Sequence, residues 1–244
     1  MRIVKVLFTI IFMLVFVFAV ILYLFFSSRT AETFSPSGFN GFTAVIDAGH
    51  GGEDGGAVSI SGAIESHINL KIALRLDQIF GLYGVDSVLL RDNDVSLHDP
   101  SAQTLRQKKV SDLRNRVAAI QEIENPIVIS IHQNTYTSSR YSGAQVFYAN
   151  GELSKPLAQL TQEVLRNAVD PSNHRKAVAV PESVYLMNHI TCKAILVECG
   201  FLSNYEEDLL LQSDLYQTKL AAALAGAYLN YQDIIRKGET PCAS

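Results

Sequence analysis

The chain has 244 residues, with 20 basic and 24 acidic side chains and a formal net charge of −4. This acidic balance argues against a nucleic-acid partner, which calls for a basic face. The three cysteines, Cys192, Cys199 and Cys242, exclude a complete disulfide framework.

The first predicted element is an N-terminal transmembrane helix. Residues 6–26 form an uncharged run, and a helix of this length spans roughly 31 Å, enough to cross a bilayer core of about 30 Å. A cleavable signal peptide and a buried helix of a soluble protein are the alternatives, but residues 26–32 offer no Ala-x-Ala-like cleavage site. Arg2 and Lys5 precede the run and predict a cytoplasmic N-terminus. We therefore expect a single-pass, membrane-anchored protein whose main domain is extracytoplasmic.

Three further segments follow the predicted anchor, residues 1–26. Residues 27–41 are rich in Ser, Thr, Gly and Pro, which is typical of a linker. Residues 42–236 are long enough for one globular domain with a sizeable core. Residues 237–244 are polar and predict a disordered tail.

Short β-branched runs alternate with amphipathic stretches across the predicted domain. The predicted strands are residues 42–47, 87–90, 127–132, 144–148 and 194–198. The predicted helices are residues 65–80, 101–122, 154–168 and 214–235. This alternation predicts an α/β domain, with a mixed, mostly parallel sheet sandwiched between helices.

Four acidic or imidazole side chains lie at or near the ends of these elements: His50, Glu65, His132 and Glu198. Sites in α/β sheets gather at the carboxyl ends of strands, so three of these residues share an edge if their strands are parallel neighbours. Glu65 would enter from the first turn of the following helix. Two imidazoles and a carboxylate can hold zinc with one position open, leaving a second carboxylate to move protons. Each residue alone fits a structural role equally well, but together they indicate a metal-dependent hydrolase.

Four ordered motifs contain these residues. They are DAGHGGEDGGA (47–57), GAIE (62–65) with Asn69-Leu70 behind it, SIHQN (130–134) and LVECGFLSN (196–204). From about Thr43 to Tyr231, these motifs closely resemble the zinc-dependent N-acetylmuramoyl-L-alanine amidases of the Amidase_3 type.

The resemblance implies a role for each of the four residues. His50, Glu65 and His132 would be the zinc ligands, and Glu198 would be the catalytic carboxylate. The implied reaction is hydrolysis of the amide bond between N-acetylmuramic acid and L-alanine in peptidoglycan. The implied fold, a mixed sheet sandwiched by helices, agrees with the pattern above.

Several neighbouring residues have two interpretations. Asp47 and Asn134 are each two residues from a predicted imidazole ligand, where an outer-shell side chain could orient the ring, although Asp47 also suits a turn cap. Arg116 matches a recurrent family arginine, and either a structural ion pair or a substrate contact explains it.

Side chains two residues apart on a helix point in different directions, so His67 is not expected to join Glu65 at one ion. The remaining histidines, His98, His174 and His189, are expected to have surface or structural roles.

Three functions are weighed for this pattern. Besides the amidase, another peptidoglycan metallohydrolase (a peptidase or deacetylase) and an inactive peptidoglycan-binding module remain alternatives. The short, anchored layout resembles the CwlD-type sporulation amidases, which implies a role in spore cortex maturation and muramic-δ-lactam formation. The expected partners are peptidoglycan and the membrane, and the need for a protein activator is left open.

Overall fold

The computed structural model describes residues 41–149 and 151–238, together with Lys5, Phe8, Met13 and residues 16–18. The chain divides into two units, residues 1–38 and 39–244, and every strand and helix named below lies in the second. Among the described residues, no helix is both long and apolar enough to cross a membrane. Most of the predicted anchor and linker, and most of the predicted tail, lie outside the described residues.

Six strands form one sheet in the order β2-β1-β3-β6-β4-β5. Their bounds are β1 Thr43–Ala48, β2 Ser87–Leu89, β3 Pro126–Asn134, β4 Gln145–Tyr148, β5 Val178–Ala179 and β6 Lys193–Phe201. Only β4 and β6 pair antiparallel; the other neighbours are parallel. The predicted mixed, mostly parallel sheet is confirmed.

Helices cover both faces of this sheet. Their bounds are α1 Glu65–Leu82, α2 Leu105–Gln121, α3 Lys155–Ala168, α4 Tyr185–His189, α5 Tyr205–Gln212 and α6 Asp214–Arg236. One core cluster joins the sheet to α1, α3 and α6, and a second joins its other face to α2 and α4. The sheet therefore has buried side chains on both faces, as expected for mostly parallel strands.

The regular spacing of apolar residues explains the long helices. In α1, Ile68, Ile72, Leu76 and Phe80 recur every four residues and are at most 4% exposed, because this spacing places them on one face. The start of α2 is set by Thr104, whose hydroxyl accepts from Gln107 N while the Gln107 side chain accepts from Thr104 N. This capping box begins the helix four residues after the predicted start.

The pairing of the central strands positions the site. β1, β3 and β6 are parallel neighbours, and His132 of β3 lies opposite Glu198 of β6. The carboxyl ends of all three strands consequently meet at one edge. The short elements β5, α4 and α5 were absent from the sequence prediction because they carry too few residues to show a period.

Candidate metal centre

The four predicted residues come together at the carboxyl edge of the sheet. His50 lies two residues after β1, Glu65 is the first residue of α1, and His132 and Glu198 face each other across β3 and β6. His50, Glu65 and His132 each offer one ligand atom, and these atoms lie within 4.8 Å of one another. The topology thus delivers the cluster from three separate segments.

Two of the three ligand separations in this cluster match those expected around a tetrahedral zinc ion. Glu65 Oε1 lies 3.4 Å from His50 Nε2 and 3.1 Å from His132 Nδ1. Two ligands bound to tetrahedral zinc at about 2.0–2.1 Å lie about 3.3 Å apart. Two nitrogens and one carboxylate oxygen are also a donor set that zinc accepts while keeping a position open.

The neighbours of His50 and Glu65 shift the pKa values of both side chains. Burial opposes a charge on His50, but hydrogen bonds to Asp54 and Glu65 outweigh burial and raise the pKa of His50 to about 9. Burial also opposes ionisation of Glu65, yet hydrogen bonds from His132 and His50 hold its pKa well below the usual range. Glu65 is therefore a carboxylate at neutral pH, as a metal ligand must be.

Two glycines make room for the cluster. A Cβ on Gly49 would lie 2.2 Å from the His132 imidazole, and a Cβ on Gly56 would lie 2.5 Å from Glu65 Oε2. His50 itself has a φ of 62°, which is uncommon for a residue with a side chain and indicates that its surroundings hold the turn in place. The glycine-rich motif thus allows the backbone to approach the His132 and Glu65 side chains closely.

Backbone and amide donors fix the Glu65 carboxylate. Oε2 accepts from Ala57 N at 2.8 Å, and Oε1 accepts from Gln133 N at 3.1 Å and Asn69 Nδ2 at 3.3 Å. Gln133 Nε2 in turn donates to Asn69 Oδ1 at 3.1 Å. These contacts hold the carboxylate toward the two imidazoles.

Asp54 orients His50, a role that the sequence analysis did not assign to it. Asp54 Oδ2 lies 3.0 Å from His50 Nδ1, which leaves Nε2 facing Glu65. Among the described residues, neither Asp47 nor Asn134 forms a hydrogen bond to the His50 or His132 ring, so the structure does not support the suggestion that they orient an imidazole. Asp47 is occupied by Arg116 and by the Ser130 hydroxyl, and Asn134 contributes its carbonyl to Leu202 N.

Glu198 has an unusual environment for a carboxylate. Its Oε2 is buried and has no hydrogen-bond partner among the described residues. Burial, together with the nearby Glu65 charge, raises the pKa of Glu198 to about 7 against the pull of His132. A carboxylate that gains or loses a proton near neutral pH is suited to proton transfer.

Arg116 is a structural residue beneath the site. It is 1% exposed and forms ion pairs with Asp47 and Asp112. Its guanidinium also donates to Ala48 O at 3.1 Å and His50 O at 2.8 Å. The structure therefore favours the ion-pair interpretation of Arg116 over a substrate contact.

Arg91 is a second buried arginine, and no sequence motif had singled it out. It is 3% exposed and donates to Ala48 O at 2.8 Å, Gly49 O at 3.0 Å and Ser66 O at 2.9 Å. Ser66 lies next to Glu65, so this one guanidinium ties the His50 turn to the start of α1. Arg91 and Arg116 together occupy the carbonyls of residues 48–50.

The other histidines lie outside the cluster. His67 Nε2 pairs with Asp94 at 3.0 Å, His98 contacts Ser96, and His189 contacts Tyr185 O. The structure thus places His67 away from the ion site, as the helix geometry predicted.

A cleft of about 270 Å³ opens over the cluster. His50, His132 and Glu198 line its floor, with residues 183–187 and Lys109 of α2 among the residues that form its walls. This volume suits part of a substrate rather than a whole polymer, so a longer substrate must extend beyond the cleft.

Phe201, three residues after Glu198, packs with two tyrosines in an aromatic cluster. Tyr141 stacks on buried Phe201 with ring centroids 6.1 Å apart, and Tyr136 meets Tyr141 edge to face at 4.8 Å. Asn204 Nδ2 donates to the carbonyls of Ser139 and Tyr141. The end of the fourth motif therefore fixes the loop that follows β3.

The chain is similar to known proteins over the region that contains the four motifs. Residues 44–230 match the Amidase_3 family model, described as N-acetylmuramoyl-L-alanine amidase. The germination-specific N-acetylmuramoyl-L-alanine amidase of Bacillus subtilis (strain 168) is 33% identical over 204 residues, covering 83% of this chain and 84% of that protein.

Two solved structures show the same fold. The CwlD amidase from Clostridioides difficile, in complex with the GerS lipoprotein, has 36% sequence identity and a TM-score of 0.76, covering 79% of this chain and 98% of that one. The amidase AmiC2 of Nostoc punctiforme has 27% identity and a TM-score of 0.68, covering 80% and 98%. The match to the family model spans most of the chain, so this protein belongs to the Amidase_3 family of N-acetylmuramoyl-L-alanine amidases.

Proposed function

We propose that this amidase holds one zinc ion with His50, Glu65 and His132 and uses Glu198 to carry protons. Its substrate would be the amide bond between N-acetylmuramic acid and L-alanine of peptidoglycan. The observation that carries the proposal is the approach of two imidazole nitrogens to Glu65, at 3.4 and 3.1 Å, in the cleft that Glu198 also lines.

The residues divide the chemistry between them. Zinc, when bound, would lower the pKa of a water molecule from 15.7 toward about 7 and polarise the substrate carbonyl. Glu198 would accept a proton from the attacking water, because its pKa of about 7 matches a base working near neutral pH. Glu198 would then deliver that proton to the L-alanine nitrogen as the C–N bond breaks. The products are a lactyl carboxyl group on the sugar and a free amino terminus on the peptide.

Product analysis tests this function against the two alternatives. Purified protein incubated with zinc and peptidoglycan fragments should release intact stem peptides with a free L-alanine amino terminus, as detected by mass spectrometry. Shortened peptides would indicate a peptidase, and loss of acetyl groups would indicate a deacetylase. Binding without any new product would support the inactive module.

Zinc binding is expected to release protons. The pKa of His50 is about 9, so its imidazole carries a proton at about pH 7, whereas a zinc ligand must be neutral. Zinc affinity should therefore rise with pH up to about 9 and level off above it. Calorimetry in two buffers of different ionisation enthalpy should show about one proton released at pH 7. A heat that is identical in both buffers would contradict the protonated state of His50.

Arg91→Lys is expected to loosen the ion site. Lysine keeps the charge but lacks the planar fork with which Arg91 reaches three carbonyls in two separate segments. We expect zinc affinity, measured by chelator competition, to fall by about 10–100-fold, as for other outer-shell changes. If only the melting temperature of the zinc-free protein falls while zinc affinity is unchanged, Arg91 supports the fold alone.

We also propose a role in spore cortex maturation. Two similar proteins, one named germination-specific and the other named CwlD, support this role. The chain should restore muramic-δ-lactam to the cortex of a Bacillus subtilis strain that lacks its germination-specific amidase, with Glu198→Gln as the inactive control. Absence of the lactam from spores that contain active protein would argue against the cortex role.

The location and partners of the chain are further parts of this proposal. The apolar run at residues 6–26 supports a membrane anchor with the domain outside, and protease digestion of intact protoplasts should then remove the domain. The complex of the Clostridioides difficile relative with the GerS lipoprotein supports a protein partner here. Co-purification of the tagged full chain from sporulating cells tests for such a partner.

A further inference from the structure

A second cavity, of about 310 Å³, adjoins the metal cleft along the start of α2. We call it the basic cavity, and its lining residues are Glu53, Asp54, Ser96, Leu105, Arg106, Lys108 and Lys109. It shares Asp54 and Lys109 with the metal cleft. The two cavities therefore adjoin at these two side chains.

The charge of α2 differs from that of the rest of the protein. This helix carries five basic residues and one acidic residue, whereas the whole chain has more acids than bases. Three of the five, Arg106, Lys108 and Lys109, line the basic cavity. Such a local concentration of positive charge attracts anionic groups to the mouth of the site.

The lining acids neutralise only part of this charge. Lys108 pairs with Glu53, and Lys109 Nζ lies 3.2 Å from Asp54 Oδ2. Arg106 is exposed and has no ion-pair partner in the part of the chain that the structure describes. A guanidinium with a planar set of free donors suits a carboxylate.

Lys109 has donors to spare as well. An ammonium group has three donors, and Asp54 is its one acidic contact within the described residues. The Lys109 side chain is 53% exposed, and it stands where the two cavities meet. It can therefore bind a ligand without releasing Asp54 from His50.

From this arrangement we propose that the basic cavity binds a carboxylate of the stem peptide, with Arg106 as its main partner and Lys109 beside it. The proposal rests on the amidase function proposed above. It places the peptide half of the substrate on the side of the site formed by α2. In the substrate, the carboxyl group of the muramic acid is consumed in the scissile amide, so the adjoining sugar offers no free carboxylate. The peptide half carries one wherever its C-terminus or an acidic side chain is not cross-linked or amidated. The peptide thus runs along α2, and the glycan leaves the cleft on another side.

A matched pair of soluble N-acetylmuramoyl peptides tests the proposal, identical except that the peptide carboxylates are free in one and amidated in the other. The full chain loaded with zinc should show a KM about fivefold lower for the free form, as expected for a partly exposed ion pair. Arg106→Gln should raise KM for the free form by about that factor, and leave KM for the amidated form and kcat for both within about twofold. Arg106→Lys should restore part of the difference, because it restores the charge without the planar fork.

Arg114→Gln is the matched control. Arg114 is an exposed arginine of the same helix but lines neither the metal cleft nor the basic cavity. Its loss should leave the free-to-amidated KM ratio unchanged, which separates a local contact from a general effect of the charge of α2. Raising the ionic strength should reduce the ratio for the unmodified protein, since partly exposed charges are screened.

The outcomes separate this proposal from the function on which it rests. Equal KM values for the two substrates, with normal release of the peptide, would overturn the carboxylate subsite and leave the amidase intact. A rise in KM for both substrates in Arg106→Gln would also overturn it, because the lost contact would not involve a carboxylate. Failure to cleave either substrate would instead count against the proposed function.

Discussion

Glu198→Gln is expected to lower kcat on soluble muramoyl peptides by about 10²–10⁴-fold, the range for loss of a general acid–base group. Glutamine has nearly the same shape as glutamate but cannot accept the proton of the attacking water. Zinc content should stay near one ion per chain, because Glu198 lies outside the set formed by His50, Glu65 and His132. Metal analysis and steady-state kinetics on the same preparation measure both effects.

The environment of Glu198 explains why this substitution is informative. Its Oε2 is buried without a hydrogen-bond partner among the described residues, which is costly for a group that serves only the fold. Glu198 also lines the metal cleft, so its carboxylate stands beside the space that a substrate would fill. Unchanged turnover in Glu198→Gln would remove Glu198 from the mechanism.

A stability measurement controls for damage to the fold. The pKa of Glu198 is raised from 4.5 to about 7 by burial, so the folded state disfavours the charged form. The ionised group reduces stability progressively as pH rises from about 4.5 to about 7, and the penalty stays constant above that range. Zinc-free Glu198→Gln should therefore melt at a higher temperature than the unmodified protein at about pH 8, with the difference vanishing near pH 4. A lower melting temperature at pH 8 would mean that Glu198 supports the fold.

The sequence predicted which strands and helices carry the site residues, because the apolar residues of these elements recur with a clear period. Alternating β-branched runs and helices predicted the layered fold, and His132 and Glu198 are in strands that proved to be parallel neighbours. The position of Glu65 at the start of α1 followed from the same pattern. The order and direction of the strands and of α1 thus place the four residues at one edge of the sheet, whatever contacts their side chains make.

The supporting contacts could not be predicted in the same way because they join distant segments. Arg91 follows β2 and reaches Ser66, 25 residues away along the chain. No periodicity encodes such a contact, since it depends on how β2 and α1 pack. Asp54 did stand in a quoted motif, and its position four residues after His50 was a signal, but the turn between them gave no fixed direction to either side chain. Outer contacts of this kind require the tertiary structure.

His50→Asn is expected to abolish stable zinc binding. Asparagine is chosen because His50 has a φ of 62°, a conformation that asparagine tolerates better than alanine. The variant keeps the turn and loses one of three proposed ligands. The fall in zinc affinity should exceed the roughly 10–100-fold cost of an outer-shell change, as measured by chelator competition and by zinc content after dialysis.

A graded series turns this loss into a test of the arrangement. Asp54→Asn keeps every proposed ligand but weakens the hydrogen bond that orients His50. The series is compared above about pH 9, where His50 is neutral without zinc, and there the affinity of Asp54→Asn should fall by about 10–100-fold. His67→Ala removes a nearby histidine that pairs with Asp94 instead, and its affinity should not change. Coordination by His50 with orientation by Asp54 requires the order His50→Asn, then Asp54→Asn, then His67→Ala, from the largest loss to none. Full zinc retention in His50→Asn would remove His50 from the ligand set. If His67→Ala lost as much zinc affinity as Asp54→Asn, charge near the site, rather than the orientation of His50, would control the affinity.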